Sequence, residues 1–502
     1  MDIFASIGMG FASALTLSKL FYCFFGVLMG MFMGVLPGVG AMATISMLLP
    51  LTFYVPADSG LIMLAGIYYG AQYGGSIASI LLNLPGTPSS AIVCLDGYPM
   101  MKQNRAGPAI FLTTIASFSG SILAILVLMG LAPAAASVAL MFGATEYFAL
   151  MILGLVAAAS LAVHGIARGL AMVTVGLILG AVGTDISSGT YRFIYGNLQF
   201  ADGFSIIALA MGLFGVAEIL NILINGMDEG RQAPKLRFRD LTPTRQDLRE
   251  TPGPVLRGGL MGTILGILPG TGASIASFVA YGMEKRLSPT PEKFGTGHTP
   301  GITAPEAANN AAAQAAFIPT LTLGVPGDAV MALMMSALII HGIQPGPTMI
   351  GQHPELFWGL VASFVIGNVM LLFLNLPLIG LWVRMLQIPY RLLYPVVIVL
   401  ICIGVYAVGN NVLHVVQVIV FGIAGYLMKR VRLEPAPLLL GFVLSPLLED
   451  NFRRALLLSR GKLSIFVERP ISAGLLLVSL AIIVFSLLGQ RRAAARMAGE
   501  RG

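Results

Sequence analysis

The sequence predicts an all-α polytopic membrane protein made of two inverted structural repeats, each holding a re-entrant helical hairpin and a broken transmembrane helix. Three observations predict it. The 502-residue chain is 57% hydrophobic and only 10% charged, apolar segments recur along its whole length, and a set of glycine and proline signatures occurs twice. A soluble domain carries about 25% charged residues, so soluble globular, disordered and nucleic-acid-binding classes are excluded. The net charge of +7 comes from 29 Lys and Arg against 22 Asp and Glu. In a membrane protein such an excess marks cytoplasmic loops rather than a polyanion partner. Cys23, Cys94 and Cys402 are scattered, as are the five histidines, so neither a disulfide framework nor a metal-ligand spacing is present. Asp2, with no basic flank before the first apolar stretch, argues against a cleaved secretory signal.

A bilayer core about 30 Å thick takes roughly 20 apolar residues of helix to cross. The first half, residues 1–227, opens with an apolar segment at 20–55 interrupted by Gly34-Val35-Leu36-Pro37-Gly38-Val39-Gly40, expected as a hairpin. A broken helix follows at 61–97, interrupted by Leu82-Asn83-Leu84-Pro85-Gly86-Thr87-Pro88, then spans at 107–131, 136–162, a shorter 167–183, and 204–226. Residues 228–256 are polar and basic and read as a cytoplasmic linker between halves. The second half, 257–470, repeats the opening: a hairpin at 257–287 interrupted at Gly266–Gly272, and a broken helix at 302–341 interrupted by Leu323-Gly324-Val325-Pro326-Gly327-Asp328. Spans at 355–383, 392–409 and 411–428 follow, and residues 471–502 hold a last helix and a basic cytoplasmic tail.

The repetition is specific. A shift of 232 residues lays Gly26, Gly30, Gly34, Pro37, Gly38 and Gly40 onto Gly258, Gly262, Gly266, Pro269, Gly270 and Gly272. A shift of 241 lays Pro85-Gly86-Thr87 onto Pro326-Gly327-Asp328, and Gly70, Gly74 and Gly75 onto Ala311, Ala315 and Ala316. If both hairpins enter and leave on one face, five crossings separate them, at 61–97, 107–131, 136–162, 167–183 and 204–226. Five is odd, so the two copies are expected upside down to one another. Most basic loop residues, from Lys102 and Arg105 to Arg384, Lys429, Arg430 and Arg491, then fall on one side, which should be cytoplasmic. The stretch 450–470 goes against this count, because it is placed outside yet carries Arg453, Arg454, Arg460, Lys462 and Arg469.

Backbone that leaves helical geometry at membrane depth exposes amide and carbonyl groups, which costs several kcal/mol per group unless something polar meets it. Inverted repeats with discontinuous helices meeting at the midplane are how secondary transporters present half-helix ends to an anion and freed carbonyls to a cation. Thr87 is expected to cap the second half-helix, with Pro88 at its first position and the hydroxyls of Ser89 and Ser90 in the opening turn. Asp328 takes the matching place in the second copy, where a structural cap and an ion or proton site are both open readings. At the second hairpin tip, Thr271, Ser274 and Ser277 supply hydroxyls beside Gly270 and Gly272. The glycine ladders themselves read as close-packing devices, and single serines and threonines commonly bond their own helix. Glu146, Glu218 and Glu306 lie near segment ends, where interfacial carboxylates are the commoner case.

Enzyme signatures are weak. The loop from Gly266 to Ser274 lacks the Gly-Lys-Ser/Thr of a phosphate-binding loop, and neither His-Glu-x-x-His nor Gly-x-Ser-x-Gly occurs. Ser274 has no histidine obviously placed as its base, and Met42 holds its position in the first copy, so an intramembrane hydrolase is a lesser alternative, beside a passive anion channel. The chain is not expected to be an enzyme.

Five ordered motifs together resemble the large membrane subunit of the tripartite tricarboxylate transporter family: Leu36-Pro37-Gly38-Val39-Gly40, Asn83-Leu84-Pro85-Gly86-Thr87-Pro88, Leu268-Pro269-Gly270-Thr271-Gly272, Ala304-Pro305-Glu306-Ala307-Ala308-Asn309-Asn310-Ala311 and His341-Gly342-Ile343-Gln344-Pro345-Gly346-Pro347. The resemblance implies uptake of citrate-like di- and tricarboxylates across a bacterial inner membrane, with Na⁺ or H⁺ as coupling ion and no other cofactor. It implies a small membrane subunit and a periplasmic binding protein as partners, leaves room for a homo-oligomer, and implies kinship with ion-transporter folds of elevator type. Asp328, where a small hydroxyl residue is usual, and Pro300, where an acidic residue often precedes the glycine, depart from the family pattern. Carried onto this chain, the candidate substrate and ion residues are Gly38, Gly40 and Thr44; Asn83, Gly86, Thr87 and Ser89; Gly270, Thr271, Gly272 and Ser274; and Gly324, Gly327 and Asp328. No arginine is among them, so the carboxylates should be held by N–H groups, hydroxyls and half-helix ends, with co-bound cations offsetting the charge.

Overall fold

A computed structural model describes residues 3–36, 40–139, 141–160, 162, 165–185, 188–225, 236–268, 271–386 and 390–499. The first half contains α1 (Ile3–Ala14), α2 (Leu17–Val35), α3 (Gly40–Leu48), α4 (Ala57–Leu82), α5 (Cys94–Lys102), α6 (Ala106–Ala139), α7 (Ala144–Ser160), α8 (Ile166–Gly180), α9 (Ile206–Ala210) and α10 (Ala217–Asn225). After it come α11 (Arg245–Glu250), α12 (Pro252–Ile267), α13 (Gly272–Leu287), α14 (Thr299–Ala315), α15 (Phe317–Leu323), α16 (Ala329–Ile340), α17 (Pro347–Gln352), α18 (Pro354–Asn375) and α19 (Ile379–Met385). The chain closes with α20 (Tyr390–Gly409), α21 (Val412–Arg430), α22 (Pro435–Leu458), α23 (Ile465–Glu468) and α24 (Pro470–Gly499). A two-residue hairpin, β1 (Gly183–Thr184) with β2 (Tyr191–Arg192), is antiparallel. Among the described residues six helices are long and apolar enough to cross a bilayer, including Ala106–Ala134, Pro354–Asn375 and Pro470–Leu488. The protein is therefore an all-α polytopic membrane protein.

The glycine ladders do the packing expected of them. A Cβ placed on Gly26, Gly30 or Gly34 of α2 would fall 2.2, 2.3 and 2.4 Å from the carbonyl oxygens of Met63, Ile67 and Ala71 on α4. A Cβ on Gly258, Gly262 or Gly266 of α12 would fall 2.1, 2.2 and 2.6 Å from those of Ala304, Ala308 and Ala312 on α14. In both cases numbers rise together, so each hairpin's first arm runs parallel to its broken helix, backbone against backbone. The partners differ by 232 residues on one side and 241 on the other, the two shifts found in the sequence.

The breaks differ from a simple interruption. α4 is 26 residues long, about 39 Å at 1.5 Å per residue, so the break comes late rather than at mid-length. The chain leaves α4 through Asn83, φ 57°, and leaves α15 through Gly324, φ 69°. It then folds back. A Cβ on Gly86 would lie 2.6 Å from the Cα of Gly75, and one on Gly327 would lie 3.1 Å from the Cα of Ala316. Each return therefore covers 11 residues, and the new helix starts beside the old one. A Pro-Gly pair signals the exit from the helix but not the reversal that follows it.

The two halves meet along α4 and α14–α15. The Ser76 hydroxyl donates to Glu306 Oε2 at 2.7 Å, and the Tyr68 ring lies 6.3 Å from that of Phe317. Numbers rise on one helix as they fall on the other, so these two helices cross antiparallel.

Several spans differ from expectation. α6 runs straight through Pro133 to Ala139 and ends later than 131, while the 355–383 span divides at Asn375 into α18 and α19. α1 and α22 were not expected as separate elements; α22 carries Pro446 and the acidic pair Glu449-Asp450, which dilute its apolar pattern. Three basic residues of the stretch 450–470, Arg453, Arg454 and Arg469, have acidic partners. Arg453 Nη2 lies 2.7 Å from Asp185 and 2.6 Å from Glu449, Arg192 lies 2.8 Å from Glu449, and Arg469 lies 3.8 Å from Glu146. These pairs bring the basic stretch against Glu146, Asp185 and Arg192, which are far from it in the chain.

Candidate functional site

One face of α4 gathers the site. Tyr68, Gln72 and Ser76 follow at i, i+4 and i+8, a helical stripe in an otherwise apolar, buried segment. The Tyr68 hydroxyl donates to Asp328 Oδ2 at 2.6 Å, bringing the second break onto the first broken helix. The Ser89 hydroxyl donates to Gln72 Oε1 at 2.8 Å, so the first break folds onto the same face. From the second hairpin, the Ser277 hydroxyl reaches the Ser89 carbonyl at 2.9 Å and that of Ser274 at 2.8 Å. A Cβ on Gly272 would meet the Asp328 Cβ at 3.5 Å, and one on Gly40 would meet the Gly86 carbonyl at 3.8 Å. Gly40 and Gly272 both hold positive φ, 65° and 61°, a conformation that glycine adopts without strain. Each hairpin tip thus faces the break of its own half, and the two breaks meet the α4 stripe one turn apart, the second at Tyr68 and the first at Gln72.

The capping groups of the two breaks bond differently. Asp328 caps α16 through Oδ1, which accepts from the Met331 N–H at 2.8 Å, and its other oxygen is taken by Tyr68. Thr87 stands at the N-cap of the next turn; its Oγ1 pairs with Ser89 Oγ at 3.0 Å, while Ser90 Oγ accepts from the Thr87 N–H at 3.2 Å. The opening turn Pro88–Val93 is a 3₁₀ turn that continues into α5. Thr44 and Thr271 turn inward to their own backbone, Thr44 to the Gly40 carbonyl at 2.7 Å and Thr271 to Leu268 at 2.9 Å and to Leu265. Ser274 stands half-buried in the first turn of α13.

Asn83 and Gly324 stand apart from this cluster. Each lies eight residues beyond the level of Gly75 or Ala316, about 12 Å along the helix, and Gly324 packs against the Pro345 carbonyl instead. They set the exit geometry of the helices. Gly38 and Gly270 lie outside the described residues. Gly86 and Gly327 line the return itself, against Gly75 and Ala316. A separate cleft lined by Gln103, Arg105, Asp247, Lys293 and Thr299 lies by the linker, away from the breaks.

Tyr68 and Gln72 were not among the candidate residues, and Ser277, named for its hydroxyl at the hairpin tip, was not carried into the final set. The stripe on α4 was the signal available for the first two. Glu306, expected at an interface, is 0% exposed, whereas Glu146 and Glu218 have basic neighbours, Arg469 and Lys429.

The model of the tripartite tricarboxylate transporter TctA family matches residues 20–440. The chain is 51% identical over 488 residues to an uncharacterized 52.8 kDa protein of Agrobacterium vitis from the TAR-I ttuC′ 3′ region, covering 97% of each. It is 54% identical over 227 residues to an uncharacterized protein from the TAR-II ttuC′ 3′ region of the same organism, covering 45% of this chain and 94% of that one. No solved structure matches it. With the family match spanning both hairpins and both helix breaks, the chain belongs to the tripartite tricarboxylate transporter TctA family and is a membrane component of such a transport system.

Proposed function

We propose that the chain is the translocating subunit for a di- or tricarboxylate anion of the citrate class, taken up across a bacterial inner membrane with Na⁺ or H⁺ and delivered by a secreted binding protein, beside a small membrane subunit. The observation that carries this reading is the meeting of both breaks on α4, through Tyr68 with Asp328 and Gln72 with Ser89. Inverted repeats are supported by the repeated packing of the two ladders, each setting a glycine against every fourth carbonyl of its broken helix, and by the antiparallel crossing of α4 with α14–α15. The hairpins and broken helices would then move as one unit against the remaining helices, elevator-fashion. A cytoplasmic C-terminus is supported by the basic loops and by the pairing of Arg453 and Arg192 with Asp185 and Glu449 on the other face.

The anion would lie on the Thr87–Ser90 side. Asp328 already fills the N-terminal end of α16 with its own carboxylate, so the hydroxyls and N–H groups of the first break, now bonded to one another and to Gln72, would exchange those partners for an acidic solute. Thr87→Val removes one hydroxyl of the Thr87–Ser89 pair with little change in size. Uptake of labelled citrate into vesicles, with and without an imposed Na⁺ gradient, should be saturable and gradient-driven in the parent and lost in Thr87→Val at unchanged expression. Non-saturable flux that ignores the gradient in the parent would refute coupled transport.

A further inference from the structure

Building on that transport reading, we propose that Glu306, Asn310, Ser117 and Ser76 form the binding site of a monovalent alkali cation, Na⁺, enclosed between α4, α6 and α14 and one helical turn away from the break cluster. Glu306 and Asn310 are 0% exposed and Ser117 is 1% exposed. The donors that reach the carboxylate are all neutral. Ser76 donates to Oε2 at 2.7 Å, Ser117 to Oε1 at 2.8 Å, and Asn310 Nδ2 to Oε1 at 3.0 Å. A charged carboxylate held in a membrane interior by neutral groups is costly, and such residues mark ion or proton paths.

The amide oxygens decide between a proton and a metal ion. Asn310 spends its nitrogen on Glu306 and on Ser117, at 2.8 Å, while its Oδ1 is buried with no hydrogen-bond partner. The preceding residue, Asn309, also has both polar side-chain atoms buried without a hydrogen-bond partner. Protonating Glu306 would cancel its charge but supply a single O–H donor, which cannot serve both oxygens, and an unpaired buried acceptor is unfavourable. A hard cation takes carboxylate, hydroxyl and amide oxygens as ligands, so it neutralises Glu306 and satisfies Asn310 Oδ1 together. The helices around these residues are closely packed: a Cβ on Gly120 of α6 would fall 2.2 Å from the Ala307 carbonyl of α14.

The site is linked to the breaks through one rigid element. Tyr68 holds Asp328, Gln72 takes Ser89, and Ser76 donates to Glu306, all from one stripe of α4. Ion occupancy therefore bears on a helix that both breaks rest against.

The test uses the full chain in lipid nanodiscs, with thermal unfolding followed as NaCl replaces choline chloride at constant ionic strength and no carboxylate present. The midpoint should rise with Na⁺. Glu306→Gln should abolish the rise, and Asn310→Ala should raise the half-saturating Na⁺ concentration by about tenfold, as loss of one ligand predicts. A full Na⁺ response in Glu306→Gln would overturn the proposal. So would a parent protein whose midpoint follows pH but not Na⁺, which marks a proton site instead. If Glu306→Gln does not fold, Asn310→Ala and Ser117→Ala carry the test, and unchanged Na⁺ responses in both overturn it. Failed carboxylate uptake beside an intact Na⁺ shift would sink the transport reading alone.

Discussion

Replacing Gly262 with alanine tests the backbone packing of the second hairpin directly. The new Cβ would fall 2.2 Å from the Ala308 carbonyl oxygen, where real Cβ atoms do not come within 3.0 Å. The atom in the way belongs to backbone, so no side chain can swing aside, and α12 must retreat from α14 by at least 0.8 Å. A gap of that order forfeits a quarter to a half of the dispersion energy of the contacts it opens, and overpacking of this kind costs about 3 kcal/mol. Alanine returns about 1 kcal/mol through its better helix propensity, leaving a net loss near 2 kcal/mol. Gly30→Ala in the first half meets the Ile67 carbonyl at 2.3 Å and should lose a similar amount. Gly130→Ala, with nothing within 4 Å, has no steric term and should gain stability from propensity alone. Equilibrium unfolding in mixed micelles, with the three variants in parallel, reads these signs. A neutral or stabilised Gly262→Ala would refute the reasoning, because the helices would then not be in backbone contact.

Three further outcomes are expected. Tyr68→Phe removes the donor to Asp328 Oδ2 and should cost about 1.5–3 kcal/mol, as for a bond to a charged group, measured by thermal midpoint; Asp328→Asn keeps a capping side chain and should preserve the midpoint far better while altering transport. Burial alone would raise the Asp247 carboxyl, but Thr244, Thr299 and the Arg105 guanidinium outweigh it and hold the group below the usual carboxylate range. The stability it lends is therefore present above the ordinary value of about 4 and lost as pH falls through the lowered one. Hydrogen exchange over 244–251 should show α11 loosening only below about pH 4, and Asp247→Asn should remove that dependence. Single cysteines replacing Tyr195 and Leu463, which are 93% and 63% exposed, should react with a membrane-impermeant maleimide from one side, and one replacing Leu248 from the other; labelling of all three from one side would contradict the crossing count.

How much was legible follows from what each feature depends on. The ladder glycines and the tip glycines Gly40 and Gly272 are dictated by backbone contact and by positive φ, so they had to recur at fixed offsets and could be read directly. Asn83 and Gly324 were found for the same reason, though as helix exits rather than as part of the cluster. The fold-back was not legible, since Pro85-Gly86 and Pro326-Gly327 end a helix without specifying where the chain goes next. Tyr68, Gln72 and Glu306 were missed as site residues because their partners lie in the other half or across a break: Tyr68 and Asp328 are 260 residues apart, and Ser76 and Glu306 are 230 apart. The basic stretch at 450–470 looked anomalous because Asp185, which neutralises Arg453, is 268 residues away.

The ladders also limit how the molecule can change shape. Where α2 touches α4 and α12 touches α14, the facing surfaces are main chain, with no rotatable bonds to absorb a shift. Such seams behave as welds, and the crossing of α4 with α14–α15, made through tyrosine, phenylalanine, serine and glutamate side chains, ties the two welded pairs together. Any large displacement should therefore carry both hairpins and their neighbours as one plate, with slippage confined to other surfaces built from side chains.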